Sequence, residues 1–325
     1  MRERPTVLVT APLPDDLRDL VAARTDMVAT TADALAAPDE ALAQRMKEAV
    51  GLLTTIRVKI DDDFLDRCPK LKVVSNFAVG FDNVDLEVVQ RRQVMICNTP
   101  GVLDAAVADI ATVMLLCLGR RIFQNDRFVR EGSWAKGPAP YSLDIAGKTL
   151  GLLGMGRIGR LVAERARAFG LKVAYYKPNR DGEAEAAGLA NYLERDALFA
   201  ESDFLSVHCP LTPKTRGSIG AREFALMKKS AFFVNTARGG IVDEAALIAV
   251  LREGRIAGAG LDVMVKEPIP GDHPLCSLPN VILQPHIGSA THETRRAMIE
   301  LAVRNVLAAV EGRQPEAVVD TAKAA

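Results

Sequence analysis

Four short stretches carry residue types that could do chemistry. Gly154-Met155-Gly156-Arg157-Ile158-Gly159 is a G-x-G-x-x-G, a spacing that lets a backbone turn tightly and offer its amides to a phosphate. In 234–243, VNTARGGIVD, Arg238 stands between small residues just past an apolar run, and its guanidinium could hold a carboxylate through two hydrogen bonds. In 261–268, LDVMVKEP, the end of an apolar run carries two acids, Asp262 and Glu267. In 284–289, QPHIGS, another such run is followed by His286, one of four histidines with His208, His273 and His292. Singly these are weak signals, because a lone arginine is more often a surface partner and a lone histidine structural. Their shared position past a strand end is the stronger observation, since open α/β sheets bind ligands at the carboxyl ends of their strands.

The elements around the glycines position them for a dinucleotide. Residues 150–153 form a short apolar run suited to a buried parallel strand, and helical periodicity starts directly after the motif. Leu161, Val162, Arg165, Ala166 and Phe169 fall on one helix face, Gly170 serves as the C-cap, and 173–176 form the next strand. In that context Gly154 makes the tight turn and Gly156 lets the backbone approach a pyrophosphate. Gly159 lets the helix pack close to the strand, with the phosphates on its N-terminal amides. An acid that would bind an adenosine ribose 2′-hydroxyl is expected past the second strand. Lys177-Pro178-Asn179-Arg180 stands there instead, and Asp181 comes only after the proline has ended the strand. The basic residues suit a 2′-phosphate and predict NADP(H). A solvated basic turn without selectivity, which would leave NAD in use, is the alternative.

Composition bounds the rest. A length of 325 residues suggests two domains. With 49% hydrophobic residues there is material for full cores, yet no stretch approaches the ~18 apolar residues of a membrane span. Lysine plus arginine equal aspartate plus glutamate, at 41 each, so nothing overall favours nucleic acid or a membrane surface, and substrate attraction must be local. Five scattered cysteines without a C-x-x-C pair read as reduced thiols of a cytoplasmic protein and offer no metal set. The start, MRERPTVLVTAPLP, has too short an apolar run for a signal peptide.

Along the chain, strand candidates at 7–10, 51–54, 71–75 and 94–98 alternate with helices at 14–24 and 85–92. This alternation points to a doubly wound parallel sheet without a glycine fingerprint, and hence to a substrate half. Thr99-Pro100-Gly101 is a hinge, 102–121 a long apolar helix, and 131–142 a Gly- and Pro-rich loop in which Trp134 is read as a packing anchor in preference to an intersubunit contact. Further strands are expected at 204–207, 232–234, 257–261 and 281–283, with a helix at 243–252 opened by Asp243. A long amphipathic helix covers 291–310, and the tail from 314 to 325 is expected to fray.

Several motifs in fixed order, NFAVGFDNVD, NTPGVLDAAVADIA, GKTLGLLGMGRIG, HCPLTPKT, NTARGGIVDEAAL, GLDVMVKEP and LPNVILQPHIGSAT, cover nearly the whole length. The chain resembles the D-isomer-specific 2-hydroxy acid dehydrogenase family, and within it the glyoxylate, hydroxypyruvate and hydroxyphenylpyruvate reductases. The resemblance implies two Rossmann-like α/β domains with an interdomain active-site cleft. Residues 1–101 plus 286–325 would form the substrate-binding domain and 102–285 the dinucleotide-binding domain, with a homodimer through the latter.

Carried onto this sequence, the resemblance makes Arg238, Glu267 and His286 the catalytic set for NAD(P)H-dependent reduction of a small 2-oxo acid to its D-2-hydroxy acid. Hydride reaching C2 leaves negative charge on oxygen, and an imidazolium at His286 would donate the proton that oxygen needs. Glu267 would orient the ring and favour its protonated form. Arg238 would bind the substrate carboxylate and polarise the carbonyl, and backbone amides of Ala78-Val79-Gly80 would complete the carboxylate clamp. For the dinucleotide, the glycine turn with Met155, Arg157 and Ile158 would take the pyrophosphate, and Lys177, Asn179 and Arg180 the adenosine end. Cys209 and Pro210 would flank the adenosine, with Cys209 lining the site and not acting as a nucleophile. Thr236, Ala237, Asp262 and Gly288 would surround the nicotinamide ribose and carboxamide.

Two positions depart from the family pattern. NADP-using relatives commonly have an arginine where Pro178 stands, and some glyoxylate reductases have a second tryptophan near Trp134. Phe77 and Phe81 flank the clamp and leave substrate size open. Two other readings share the architecture: a phosphite or formate dehydrogenase, and a dinucleotide-sensing corepressor-like protein.

Overall fold

The computed structural model describes residues 4–321, and they divide into two units, with breaks after Leu103 and after Thr291. The second break lies beyond the 285/286 boundary drawn from sequence, so His286 belongs to the middle unit.

The first unit holds five parallel strands, β1 (Thr6–Val9), β2 (Asp26–Ala29), β3 (Ala49–Thr54), β4 (Val73–Asn76) and β5 (Met95–Cys97), in the order β2-β1-β3-β4-β5. Alternation along the strands separates two cores. Leu8, Leu52, Val74 and Ile96 face one way. Val7, Val9, Leu53, Val73 and Cys97 face the other, against Ile299, Ala302, Val303, Val306 and Leu307 of the His292–Val310 helix. Each buried Val, Leu or Ile among them contributes about 1.5–3 kcal/mol relative to exposure, enough to hold this distant segment of chain on the sheet. β2 escapes a pattern reading because Asp26-Met27-Val28-Ala29 is an edge strand with no buried residue.

The tail departs from expectation. Val319 N donates to Ile96 O at 2.8 Å, Val318 bridges Cys97, and the buried Asn305 Oδ1 accepts from the Glu316 and Ala317 amides. Backbone pairing to an open sheet edge thus orders residues 316–319, while 322–325 lie outside the described residues.

The second unit has seven parallel strands: β6 (Thr149–Leu153), β7 (Lys172–Tyr176), β8 (Asn191–Tyr192), β9 (Phe204–Val207), β10 (Phe232–Asn235), β11 (Gly258–Leu261) and β12 (Val281–Leu283). Their order is β12-β11-β10-β9-β6-β7-β8, so the sheet reverses between β6 and β9. This is the dinucleotide-fold order with one strand added at an edge. Leu150, Leu152, Phe204 and Val234 share a core with the Asp104–Arg120 and Arg157–Ala168 helices, and Leu153, Leu205, Val207 and Phe233 share the opposite one.

On the Arg157–Ala168 helix the buried residues are Gly159, Val162, Ala163 and Ala166. Phe169 is 49% exposed, because the helix ends one residue before it and carries it off the face. An additional helix, Ile122–Arg130, has no buried residue. Trp134, in the following 3-10 turn, is 67% exposed and therefore does not anchor packing within the chain. Among the described residues no helix is long and apolar enough to cross a membrane.

Candidate active site

The glycine turn separates into two kinds of position. A Cβ at Gly154 (φ +105°) would lie 2.6 Å from the Cys209 amide nitrogen and the His208 carbonyl carbon, and one at Gly159 would lie 2.6 Å from Gly154 O. The protein's own packing therefore requires both. Gly156, the N-cap of the Arg157–Ala168 helix, has φ −92°, and a Cβ there would meet nothing within 4 Å. The space above it is open, and bare helix N-terminal amides beside open space fit a pyrophosphate. Met155 is buried in the core, leaving only its backbone for a ligand, and Ile158 packs against the same core.

Arg157 Nε donates to Asp104 Oδ2 at 2.8 Å, while the other Asp104 oxygen is buried without a partner. Sequence reasoning did not single out Asp104. An acid opening an apolar helix reads as a dipole partner, and only the fold brings it to the glycine turn.

Past β7, Asp181 is almost fully buried and caps the Gly182–Ala186 helix through the Ala184 amide. Its carboxylate accepts from Arg160 at 2.6 and 2.7 Å and from Lys177 at 3.4 Å. Burial pushes this carboxyl up, but the Ala184 amide, Lys177 and Arg160 outweigh it and hold it below the usual range. With its oxygens so engaged, Asp181 does not replace the absent ribose-binding acid. Arg180 pairs with Glu185 and lies 4.8 Å over the Tyr192 ring, and Asn179 is exposed. Beyond β9, Cys209 is half-buried and Pro210 exposed. Burial pushes the Cys209 thiol up to about 11, an inert state for a thiol. His208, bonded to Ser206 Oγ at 2.8 Å, is pushed by burial down to about 4 and is neutral at pH 7.

The remaining side chains gather at the carboxyl ends of β10, β11 and β12, which are neighbours in the sheet. Asn235 shapes the first turn, donating to Arg238 O at 2.9 Å and accepting from the Ala237 amide at 3.0 Å. Arg238 Nη1 donates to Ala237 O at 2.8 Å. Thr236 is buried, and its hydroxyl has no partner among the described residues. A Cβ on Gly239 would fall 2.0 Å from the Met264 carbonyl carbon, so glycine there presses the arginine turn directly onto the segment that carries Glu267.

Asp262, buried, accepts from the Ile287 amide at 2.7 Å and the Gly288 amide at 2.8 Å, which ties the loop after β12 to the end of β11. Burial pushes its carboxyl above the usual value despite those two bonds. Glu267 accepts from the Met264 amide through Oε1 at 2.9 Å, and its Oε2 lies 2.7 Å from His286 Nδ1. Burial raises the Glu267 carboxyl, but the bonds from His286 and Met264 and the nearby charges of His286 and Arg238 bring the net shift below the usual range. His286 has φ +56°, a left-handed conformation uncommon outside glycine and found preferentially at functional sites. With Nδ1 engaged, its other nitrogen, Nε2, is the one left for a ligand.

In the first unit, Ala78-Val79-Gly80 follows β4. Phe77 is half-buried in one core and Phe81 in the other, so the loop is pinned on both sheet faces. Ala78 O accepts from the Thr99 amide at 2.9 Å, and Val79 O accepts from Asn98 Nδ2 at 2.8 Å. In a trans peptide the N–H opposes the C=O, so the Val79 and Gly80 amides point away from those partners.

Comparison with known proteins identifies the family. Residues 112–288 match the family model for the D-isomer specific 2-hydroxyacid dehydrogenase, NAD binding domain. The chain is 45% identical over 289 residues to a glyoxylate reductase of Thermococcus litoralis, covering 87% of each chain. It is 42% identical to that of Thermococcus gammatolerans, covering 98% of this chain and 96% of the relative. Among solved structures it is similar to an NADPH-dependent glyoxylate/hydroxypyruvate reductase from Sinorhizobium meliloti in complex with NADP and malonate, with a TM-score of 0.88, 33% identity and 98% of each chain covered. A dinucleotide turn, an arginine and a carboxylate–imidazole pair thus stand on the fold these relatives share, and the chain belongs to the D-isomer-specific 2-hydroxyacid dehydrogenases, NAD(P)-dependent oxidoreductases.

Proposed function

We propose that the protein reduces a small 2-oxo acid, of the size of glyoxylate or hydroxypyruvate, to the D-2-hydroxy acid. The observation that carries this reading is the Glu267 Oε2–His286 Nδ1 contact of 2.7 Å beside Arg238, behind the glycine turn. When bound, the reduced nicotinamide supplies the hydride that C2 receives. His286 Nε2 donates the proton to the carbonyl oxygen, and Glu267, held by the Met264 amide, keeps the ring in place for that transfer. Arg238 polarises the carbonyl and draws the carboxylate. Asp262 holds the Ile287 and Gly288 amides and so fixes the histidine loop. Thr236, Ala237, Asp262 and Gly288 would stand about the nicotinamide ribose and carboxamide. Initial rates with glyoxylate, hydroxypyruvate and an aromatic 2-oxo acid test the reading, and it fails if none is turned over with either dinucleotide.

NADP(H) is the preferred cofactor in this reading. Lys177 and Arg180 stand past β7, and Asp181 is committed to Arg160, Lys177 and its own helix. The support for a homodimer through the second unit is the exposure of apolar side chains along one stretch of chain: Ile122, Phe123, Val129, Trp134 and Tyr141 are each at least half exposed, and covering them would favour association. Light-scattering mass in solution decides between one copy and two. Five unpaired cysteines suit a reducing, cytoplasmic setting.

A further inference from the structure

Two helices of the second unit, Asp104–Arg120 and Arg157–Ala168, are joined by two ion pairs of opposite construction. In one, Arg165 Nε donates to Asp109 Oδ1 at 2.7 Å, and the arginine side chain is 27% exposed against 61% for the acid. In the other, Arg157 Nε donates to Asp104 Oδ2 at 2.8 Å, and the exposures are reversed, 61% for the arginine and 7% for the acid. The Asp109 pair is a surface pair, of a kind that contributes little to stability. The Asp104 pair roots an outward-facing guanidinium on a buried carboxylate.

Such a carboxylate is unfavourable to keep. Its second oxygen is buried with no partner among the described residues, and a buried charge that is only half satisfied destabilises the fold. Asp104 opens its helix, so the helix dipole offsets part of this penalty, but an apolar residue would avoid it altogether. Its place indicates its use. Arg157 is the first residue of the helix capped by Gly156, beside the open space that the glycine turn leaves for a pyrophosphate. Three residues after Asp104, Val107 reaches the loop after β12, 3.3 Å from where a Cβ on Gly288 would stand. The buried acid thus lies on the ligand side of the sheet, next to an anion site that its own charge disfavours. Bonded through Nε, Arg157 keeps both terminal nitrogens without a hydrogen bond among the described residues, and such N–H groups are what a phosphate oxygen takes.

We propose that Asp104 is a positioning residue for the dinucleotide: it fixes Arg157 through Nε so that the two Nη groups face the pyrophosphate. This role rests on the reading of the glycine turn as the dinucleotide site and is independent of which 2-oxo acid is reduced. The sign of the effect separates it from simple charge repulsion. Removing an acid that merely stands beside an anion tightens binding, whereas removing the anchor of the arginine that holds the anion weakens it.

The test is calorimetric titration with NADPH and with NADH, in the absence of any 2-oxo acid, of the parent, Asp104→Ala, Asp104→Asn, Arg157→Gln and the D104A/R157Q double variant. Loss of a charge-assisted anchor predicts that D104A weakens the tighter-binding dinucleotide by about tenfold. D104N, which keeps a neutral acceptor for Nε, loses less. R157Q weakens binding at least as much as D104A, and the double variant binds no worse than R157Q alone, because residues that act through one another are non-additive. A D104A affinity tighter than the parent's, or within about twofold of it, overturns the proposal. So does an R157Q affinity equal to the parent's, or a double variant whose losses multiply, which would give Asp104 a role apart from Arg157. A merely structural acid would lower the melting temperature and leave the affinity of the folded protein unchanged, which is the same overturning result. If D104A does not fold, D104N decides: an affinity equal to or tighter than the parent's overturns the proposal. A parent that binds neither dinucleotide overturns the proposed function and this inference together. A parent that binds one but reduces no 2-oxo acid overturns the proposed function alone.

Discussion

After β1 the chain runs Thr10-Ala11-Pro12-Leu13-Pro14 into the Asp15–Arg24 helix, whereas after β6 it runs through Gly154, Gly156 and Gly159 into the Arg157–Ala168 helix. Both strands sit where their sheet order reverses, the place where this architecture binds ligands, and the turns differ in every property that matters to a phosphate. The first helix is capped by Pro14, which lacks an N–H, and opens with Asp15 and Asp16, charges that suit the helix dipole but repel an anion. The second opens with bare amides over open space and an arginine. Architecture alone therefore does not make a dinucleotide site. In this molecule the turn chemistry decides it.

The largest test of this division concerns the chemistry placed on the second unit. His286→Ala should lower turnover by about 10²–10⁴ with dinucleotide affinity unchanged, and near-parent rates would remove the histidine from the mechanism. The glycine turn gives a sharper contrast. Gly154→Ala forces a Cβ onto backbone 2.6 Å away at φ +105° and should destabilise the protein by about 1–3 kcal/mol. Gly156→Ala, which meets no protein atom, should leave the melting temperature unchanged and weaken dinucleotide binding. Pro14→Gly in the first unit should alter neither affinity nor turnover, and a loss of dinucleotide binding there would break the comparison.

Acid unfolding tests the Glu267–His286 pair. The folded-state pKa of Glu267 lies below its ordinary 4.5, so its contribution is fully present above that value and is lost as pH falls through the lower folded value. The stability difference between the parent and Glu267→Gln should thus shrink as pH falls below about 4.5, and a difference that grows in acid would contradict the assignment. The smallest effect is expected from Lys177→Asp, a shift of cofactor efficiency toward NADH. An unaltered ratio would remove Lys177 from cofactor selection.

What was legible in the chain was what is local. A turn with close backbone contacts needs glycine at fixed spacing, so Gly154 and Gly159 announce themselves. Asp243 caps its helix through the Ala246 amide, as an acid directly before an apolar helix suggests. Edge elements were not legible: β2 and β8 bury almost nothing, and the Ile122–Arg130 helix buries nothing, so hydrophobic periodicity has no reason to mark them. Trp134 was misread for a related reason, because a large aromatic residue in a sequence does not say whether its own chain covers it.

Local sequence set the alternation of strands and helices and the glycine turn, because apolar periodicity and turn chemistry act over a few residues, while Arg238, Glu267 and His286 stood out as a set through the family resemblance. Only the tertiary structure decided that Glu267 Oε2 meets His286 Nδ1, that Asp262 clamps the loop after β12, and that Asp104 reaches Arg157. Those contacts depend on which strands are neighbours and which distant helix covers a sheet face. Burial of apolar surface sets that arrangement across the whole chain, and short-range spacing does not encode it.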